Sequence, residues 1–261
     1  MKKLILTLML SIGLCGVSPV KGELAVDEIV EKANNAAYYA GDDGRVDVLM
    51  TITDKQGRMR KREFTILRRN LKNQKQKFYV YFRKPADVEG MVFMVWKQVD
   101  ANDDRWLYLS ALDLVRRIAA GDKRASFVGS DFVYEDVSGR SITEDAHILM
   151  ETTDTYYKLK NTPKDEKSVE FSYYDMWIDA KTFLPTKAEY YNKQGSLYKR
   201  VEAIETKEIQ GIPTVIKSQI ENLESGSSTI SEFSNIEYNI GLQENIFSER
   251  YLRKPPREIN R

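Results

Sequence analysis

The chain has 261 residues, of which 40 are Lys or Arg and 39 are Asp or Glu, and its formal net charge of +1 at pH 7 is close to zero. Phosphate binding needs a concentrated excess of Lys and Arg, so this balance argues against a nucleic acid as the main partner. A single Cys and a single His argue against a disulfide framework, a metal centre and histidine-based catalysis.

Residues 1–22 have the pattern of a secretory signal peptide. A basic start at Lys2 and Lys3 precedes an apolar run over residues 4–17, and Val20-Lys21-Gly22 follows as the region of the cleavage site. The run is shorter than the ~20 apolar residues that a membrane-spanning helix needs. We therefore expect export to the periplasm, with residues 23–254 forming a single domain.

Cys15 raises the alternative of a membrane-anchored lipoprotein. A lipid-modified cysteine follows a small residue, whereas the bulky Leu14 precedes Cys15. We expect Cys15 to be removed with the signal peptide, which would leave the mature protein without a disulfide in the oxidising periplasm. Anchoring through Cys15 stays open as the alternative.

One amphipathic helix followed by a β-hairpin is predicted at the start of the mature chain. Apolar residues recur at helical spacing over residues 24–39, and the Gly-Asp-Asp-Gly cluster at 41–44 ends the helix. Residues 46–52 alternate between apolar and polar, residues 54–57 are typical of a turn, and residues 58–67 continue as the partner strand.

Further strands and short turns follow towards the C-terminal end. Strands are predicted at residues 77–82, 91–99, 105–109, 156–159, 168–178, 185–191, 197–204, 214–223 and 228–238. Short turns join antiparallel strands, whereas parallel pairing would need long crossovers. We therefore expect one antiparallel sheet, with residues 255–261 as a disordered tail.

The run Met91-Val-Phe-Met-Val-Trp96 lacks the alternation of a strand with one wet face. Both faces of such a strand must be shielded from water, one by the cavity of its own sheet and the other by a covering helix or a partner. Trp106, Tyr108, Phe127 and Phe132 follow closely. This region therefore predicts either a deep apolar groove or an ordinary packed core.

Seven motifs carry a resemblance to a known family. They are Phe82-Arg-Lys-Pro85, Gly90-Met-Val-Phe93, Trp106-Leu-Tyr-Leu-Ser110, Val115-Arg-Arg-Ile118, Ser126-Phe-Val-Gly-Ser-Asp-Phe132, Tyr134-Glu-Asp136 and Trp177-Ile-Asp-Ala-Lys-Thr-Phe-Leu-Pro185. In order and spacing they resemble the outer-membrane lipoprotein-sorting protein family, a branch related to the periplasmic lipoprotein carrier LolA.

The resemblance implies a mainly β, α+β fold: a half-open antiparallel β-barrel of about eleven strands, with short helices capping an apolar concave face. In this family the concave face receives acyl chains, and hiding each methylene from water gains ~0.8 kcal/mol. The candidate groove residues in this chain are Met50, Ile52, Phe64, Ile66, Phe78, Val80, Met91, Phe93, Val95, Trp106, Tyr108, Phe127 and Phe132.

The resemblance also implies a lid that opens over the groove. Residues 24–39 and 112–124 are the lid candidates. Arg116 and Arg117 are predicted either to hold the lid through backbone carbonyls, to contact a head-group phosphate, or to form a plain surface pair. An early-strand arginine secures the lid in the carrier family, and the candidates for it here are Arg45, Arg58, Arg60 and Arg62.

Arg58, Arg60 and Lys61 form a basic cluster in the predicted hairpin. One interpretation is a docking surface for anionic lipid head groups or a partner protein. The other is a solvated strand edge, where Lys and Arg discourage aggregation. The sequence leaves both interpretations open.

No array of catalytic groups is apparent. Gly129-Ser130-Asp131 lacks the glycine that follows serine in a nucleophile elbow. His147, on a predicted loop, has only Glu144 and Asp145 nearby as further metal ligands. We expect no enzymatic activity, no metal and no cofactor.

The leading hypothesis is a monomeric periplasmic carrier. It would bind lipid, or the acyl chains of lipoproteins, and pass them from an inner-membrane transporter to an outer-membrane acceptor. The alternative is a periplasmic sensor or accessory protein that binds a lipoprotein or transporter partner and regulates it. Such a sensor normally has a further C-terminal domain, for which we expect too few residues after Tyr251. A hydrolase is disfavoured because no acid, base and nucleophile set is present.

Overall fold

The computed structural model describes residues 24–99 and 101–260. The thirteen strands within them, β1 to β13, span Asp43–Thr53, Met59–Asn70, Gln76–Lys84, Val92–Lys97, Asp104–Leu109, Leu114–Ile118, Asp145–Thr152, Tyr156–Pro163, Phe171–Asp179, Pro185–Asn192, Leu197–Ile209, Ile212–Asn222 and Ser227–Tyr238. The helices α1 to α3 span Val26–Tyr38, Tyr134–Ser138 and Arg250–Arg253. No helix in these two ranges is long and apolar enough to cross a membrane. The predicted signal peptide, including Cys15, lies outside the described residues.

All strands belong to one antiparallel sheet in the order β6-β5-β4-β3-β2-β1-β13-β12-β11-β10-β9-β8-β7. The first and last strands of the chain pair in the middle of the sheet, where Met50 of β1 lies opposite Ser231 of β13. The two edges, β6 and β7, are joined by residues 119–144, which we call the covering segment. The half-open antiparallel fold predicted from the sequence is confirmed.

The sequence patterns predict eleven of the thirteen strands and miss the two edges, β6 and β7. In β7 the outward-facing Ile148 and Met150 are exposed although they are apolar, so the strand shows no alternation of apolar and polar residues. His147, predicted on a loop, lies in this strand. β6 contains Arg116 and Arg117 and falls within a segment predicted as a lid.

Strands β2 to β5 are buried on both faces. In β4, Phe93 and Val95 point into an inner core and Val92 and Met94 point into an outer core, and all four side chains are inaccessible to solvent. The inner core also contains residues of β1 and of the covering segment. The prediction that both faces around residues 91–96 are shielded is therefore confirmed.

The outer core is covered by residues 239–260, which we call the tail segment. Its buried side chains are those of Leu242, Ile246, Phe247, Leu252 and Ile259. Aromatic side chains of the sheet also donate hydrogen bonds to its backbone: Trp96 Nε1 to the carbonyl of Phe247, and the Tyr79 hydroxyl to that of Tyr251, each 2.7 Å long.

The prediction of a disordered tail over residues 255–261 is wrong for the part that the structure describes. Residues Arg257–Asn260 form a 3-10 turn in which Ile259 is fully buried. The carbonyl of Ile259 accepts hydrogen bonds from the guanidinium groups of Arg45 and Arg83. The charged composition of the tail gives no sign of this anchoring, because the partners lie on β1 and β3.

Helix α1 packs on the other half of the sheet. It buries Ile29, Val30 and Ala33 against Leu159 of β8 and Ile178 of β9. The observed bounds, Val26–Tyr38, agree with the helix predicted over residues 24–39. The helix therefore closes the concave side at β8 and β9, whereas the covering segment closes it at β1 to β5.

Candidate functional site

A cavity of about 470 Å³ lies on the concave side of the sheet, beneath the end of α1 and the covering segment. This volume falls within the range of about 300–1,000 Å³ that is typical of ligand pockets in proteins. Its lining comes from α1, β1 to β3, β9 to β13 and the covering segment. Residues far apart in the chain therefore share one cavity.

The wall formed by β1 to β3 is mainly apolar, and Arg45 and Arg68 are its charged members. Its apolar lining side chains are those of Val46, Val48, Met50, Phe64, Ile66, Phe78 and Val80. They alternate with residues that face the outer core, such as Leu67 and Tyr79. Methionine and the aromatic rings give this wall surfaces that can adapt to apolar chains without directional bonds.

The opposite wall, from β9 to β13, combines large side chains such as Tyr190 and Phe233 with small and polar ones. Ala203, Ser218 and Ser231 are the small ones that lie side by side on β11, β12 and β13. Ser231 Oγ is buried and has no hydrogen-bond partner in the described ranges.

The predicted groove residues fall into three groups. Seven of them line the cavity, namely Met50, Phe64, Ile66, Phe78, Val80, Phe127 and Phe132. Four pack in the same inner core without lining the cavity, namely Ile52, Met91, Phe93 and Val95. Trp106 and Tyr108 lie on the opposite face of β5, against the tail segment, so their place in the groove is corrected.

Phe127 is the main contact of the covering segment with the sheet. Its ring lies 6.1 Å from that of Phe64, 5.7 Å from that of Phe82 and 5.6 Å from that of Phe93, measured between ring centroids. Only 2% of its surface is exposed. Aromatic pairs at such distances contribute about 0.5–1.5 kcal/mol each beyond the burial of apolar area.

Polar contacts fix the turn that follows Phe127. Asp131 accepts hydrogen bonds from the hydroxyl groups of Ser227 and Thr229 on β13. From β2, Arg60 donates to the carbonyl of Gly129 over 3.1 Å. The turn thus connects two strands that flank the end of the cavity.

Arg60 is the one of the four candidate lid arginines that contacts the covering segment. Arg45 pairs with Asp47 and donates to carbonyls of the tail segment, Arg58 pairs with Asp54 in the hairpin turn, and Arg62 pairs with Asp87. Arg68 on β2 was not among the candidates, yet its guanidinium donates to the carbonyls of Tyr38 and Ala40 at the end of α1.

A buried ionic cluster holds the covering segment against β7. Glu135 is 2% exposed, and its carboxylate lies 2.8 Å from Lys123, 2.9 Å from Arg124 and 3.6 Å from Arg140. Burial raises the pKa of Glu135, but the hydrogen bond from Lys123 and the nearby cations outweigh it and lower the pKa overall. Arg140 continues the cluster to Asp145 at the start of β7, at 2.9 Å.

The remaining basic candidates lie away from the cavity. Arg117 pairs with Asp104 and lies over the Trp106 ring on the outer face, while Arg116 is exposed on β6. Arg58 and Lys61 are exposed near the tip of the β1–β2 hairpin. The structure therefore separates the three docking candidates: Arg60 contacts the covering segment and the other two face solvent.

The polar residues considered for catalysis have structural partners. Ser130 Oγ donates to the carbonyl of Phe127 over 2.7 Å. The two ring nitrogens of His147 lie 2.7 Å from the Asn161 side-chain oxygen and 2.8 Å from the Ile142 carbonyl. In residues 24–99 and 101–260 no group of three or more His, Cys, Asp or Glu side chains is arranged to hold a metal ion.

Comparisons with known proteins agree with this architecture. A family model described as "Uncharacterized protein" matches residues 74–254. The structure is similar to that of a DUF1329 family protein from Desulfovibrio piger, which is 29% identical, with 87% of this chain and 97% of that chain covered and a TM-score of 0.79.

Two further solved structures are similar. A putative outer membrane lipoprotein-sorting protein domain from Vibrio parahaemolyticus is 25% identical, with 87% of this chain and 97% of that chain covered and a TM-score of 0.80. A LolA superfamily protein from Nitrosomonas europaea is 21% identical over 88% of this chain and 100% of that chain, with a TM-score of 0.67, and shares the fold. No curated protein matches the sequence significantly.

Proposed function

Because this chain belongs to the family whose model matches residues 74–254 and has a LolA-like fold, we propose that it is a periplasmic carrier. Its cargo is lipid, or the acyl chains of a lipoprotein, held in the cavity between β1–β3 and β9–β13. The similar domain from Vibrio parahaemolyticus, described as a putative outer membrane lipoprotein-sorting protein, supports this cargo class.

The observation that carries the proposal is the apolar wall of the cavity. Seven apolar side chains of β1 to β3 face a space of about 470 Å³. Each methylene that moves from water into such a space gains about 0.8 kcal/mol. An acyl chain gains this free energy with each methylene along its length, and it needs no hydrogen-bond partner.

The covering segment is the part that must move for cargo to enter. At the turn 127–132 it is held by hydrogen bonds to hydroxyl groups and to one guanidinium group, at Asp131 and Gly129. Water can replace such partners at a net cost of about 0.5–1.5 kcal/mol for each hydrogen bond. Opening at that turn also withdraws the buried ring of Phe127 from the sheet, which adds to this cost.

We propose binding rather than catalysis. The residues that line the cavity include no histidine and no cysteine. Exposed Arg58 and Lys61 near the hairpin tip, with the 68% exposed Met59 beside them, are the proposed docking site for anionic lipid head groups of a membrane. Basic residues beside an exposed apolar side chain suit an anionic membrane surface.

The proposal is tested by filling the cavity. Ser218 lines it, whereas the next residue of β12, Gln219, faces the other side of the sheet and donates to Glu221. We expect Ser218→Trp to weaken binding of a fluorescent long-chain fatty acid by more than about ten-fold, since the indole occupies the space of the chain. Gln219→Trp is the matched control and should bind as the wild type does.

Circular dichroism and thermal unfolding of both variants establish that the sheet is intact. Ala203→Phe on the neighbouring strand provides a second way to fill the same space. Equal affinity of the wild type and both cavity variants for the fatty acid would contradict the proposal.

A further inference from the structure

Lys199 is a buried cation on the wall of the cavity. It lies on β11, where Lys199, Val201 and Ala203 all line the cavity. Only 6% of its surface is exposed. A lysine at such a position is uncommon unless its ammonium group has a full set of partners.

The partners of Lys199 are incomplete. The nearest carboxylate oxygen, Asp136 Oδ2, lies 3.7 Å from Nζ, and the ring of Tyr190 lies 5.4 Å away. Charged hydrogen bonds are shorter, at about 2.7–2.9 Å. In the described parts of the chain Nζ makes no hydrogen bond, although an ammonium group has three donors.

Asp136 is also committed elsewhere. The same oxygen, Oδ2, accepts a hydrogen bond of 2.9 Å from the backbone N–H of Val133 and thereby caps helix α2. The carboxylate is therefore held by its own helix. It screens the charge of Lys199 without satisfying its donors.

The buried Lys97 and the partly buried Lys123 both have close partners. Lys97 Nζ donates to the carbonyls of Ser138 and Gly139 over 2.5 and 2.9 Å. Lys123 Nζ lies 2.8 Å from Glu135 and 2.9 Å from Glu144. Lys199 differs from both in that its unpaired donors lie at the wall of the cavity.

We propose that Lys199 binds the anionic group, a carboxylate or a phosphate, of an amphiphile whose acyl chain lies along the apolar wall of β1 to β3. This assignment rests on the proposed function and deepens it by naming the head-group chemistry. The anion supplies the missing acceptors to Nζ in a site of low dielectric, where a charged pair is stronger than in water.

The experiment compares ligands that share one chain and differ in the head group: palmitate, hexadecyl phosphate and the neutral hexadecanol. Their affinities are measured by displacement of a fluorescent fatty acid. We expect the wild type to prefer one or both anions over hexadecanol by about ten-fold or more, as a charge-assisted hydrogen bond implies. A preference for palmitate alone identifies a carboxylate site, and one for hexadecyl phosphate alone identifies a phosphate site.

Lys199→Met should remove this preference and leave the affinity for hexadecanol unchanged, whereas Lys199→Arg should retain the preference. Lys217→Met is the matched control, because Lys217 lies on the neighbouring strand β12, does not line the cavity and pairs with Glu232 over 3.3 Å. It should bind all three ligands as the wild type does.

Three results would overturn the assignment. Equal affinity of the wild type for the anions and for hexadecanol would show that the protein does not recognise the head group. An equal loss for all three ligands in Lys199→Met would show that Lys199 only fastens Asp136 and the covering segment. Binding of none of the ligands to the wild type would contradict the proposed function itself, and this assignment with it.

Discussion

The two halves of the sheet bury their outer faces differently. On β2 to β5 the tail segment covers the outer face, and Trp106 there is 3% exposed. On β8 to β10 the outer face is partly open to solvent, and Trp177 lies between two ammonium groups, 4.8 Å from Lys158 and 3.8 Å from Lys187. One half is packed on both sides, whereas the other has a single packed side.

The difference indicates a division of roles between the halves. The doubly packed strands form a stable apolar wall for the cavity. The strands with one wet face provide the wall of mixed size and polarity, where Ser218, Ser231 and Lys199 lie. We therefore expect the shape of the cavity to depend mainly on β1 to β3, and the proposed choice of head group to depend on Lys199 of β11.

The largest expected effect is a difference in stability between substitutions on the two outer faces. Trp106→Ala should lower the free energy of unfolding by about 3–5 kcal/mol, because it leaves a cavity beneath the tail segment. Trp177→Ala should cost only about 1 kcal/mol, the scale of partly exposed cation–π contacts. Urea denaturation of both variants checks this, and similar losses would contradict the difference between the halves.

The covering segment, which joins the two edge strands of the sheet, contains the buried Glu135. Glu135→Gln should lower the free energy of unfolding by about 3 kcal/mol, because it removes the buried negative charge that Lys123, Arg124 and Arg140 share. The exposed Glu166, which makes no ion pair in the described chain, serves as control and should change stability by less than about 0.5 kcal/mol when replaced by Gln. Equal, small effects would show that the cluster does not hold the covering segment.

Stability should depend on pH through Lys97. Burial lowers the pKa of Lys97 from 10.5 to about 8, so the unfolded chain binds more protons than the folded protein between these values. Stability therefore rises with pH in this window. Between pH 7 and 9.5 the wild type should gain on the order of 2 kcal/mol relative to Lys97→Met. A difference in the free energy of unfolding between the wild type and Lys97→Met that stays constant from pH 7 to 9.5 would contradict this assignment.

The smallest effect concerns docking rather than folding. Replacing Arg58 and Lys61 by Gln should weaken binding to anionic vesicles by about 1 kcal/mol for each charge at low ionic strength, and by less in high salt. Lys72 and Lys75, exposed in the turn between β2 and β3, provide a control pair outside the proposed docking site. Equal losses for both pairs in a vesicle sedimentation assay would show that only net charge matters.

Alternation and turns predict most of the sheet, but they do not tell the two faces of a doubly buried strand apart. Phe93 and Trp106 are both large and apolar, yet Phe93 faces the inner core and Trp106 the tail segment. The tail segment, which decides this, follows more than 130 residues later in the chain. Neither the aromatic content nor the family resemblance therefore shows that Trp106 and Tyr108 face the tail segment.

Sequence patterns also do not predict the polar part of the site. Lys199 and Asp136 lie on different elements and meet only after the covering segment has crossed the concave face. The same holds for Arg68, whose acceptors lie at the end of α1. Lys199 is followed directly by Arg200, so the sequence does not indicate which of the two cations faces inward.

The central claim is that the cavity carries an acyl-chain cargo. The most direct test is native mass spectrometry and lipid extraction on the wild type and Ser218→Trp, each exported to and purified from a bacterial periplasm. The account predicts near-stoichiometric lipid or acylated peptide on the wild type and little on the variant. A wild-type protein that contains no lipid and also takes up none when lipid is added would contradict the account.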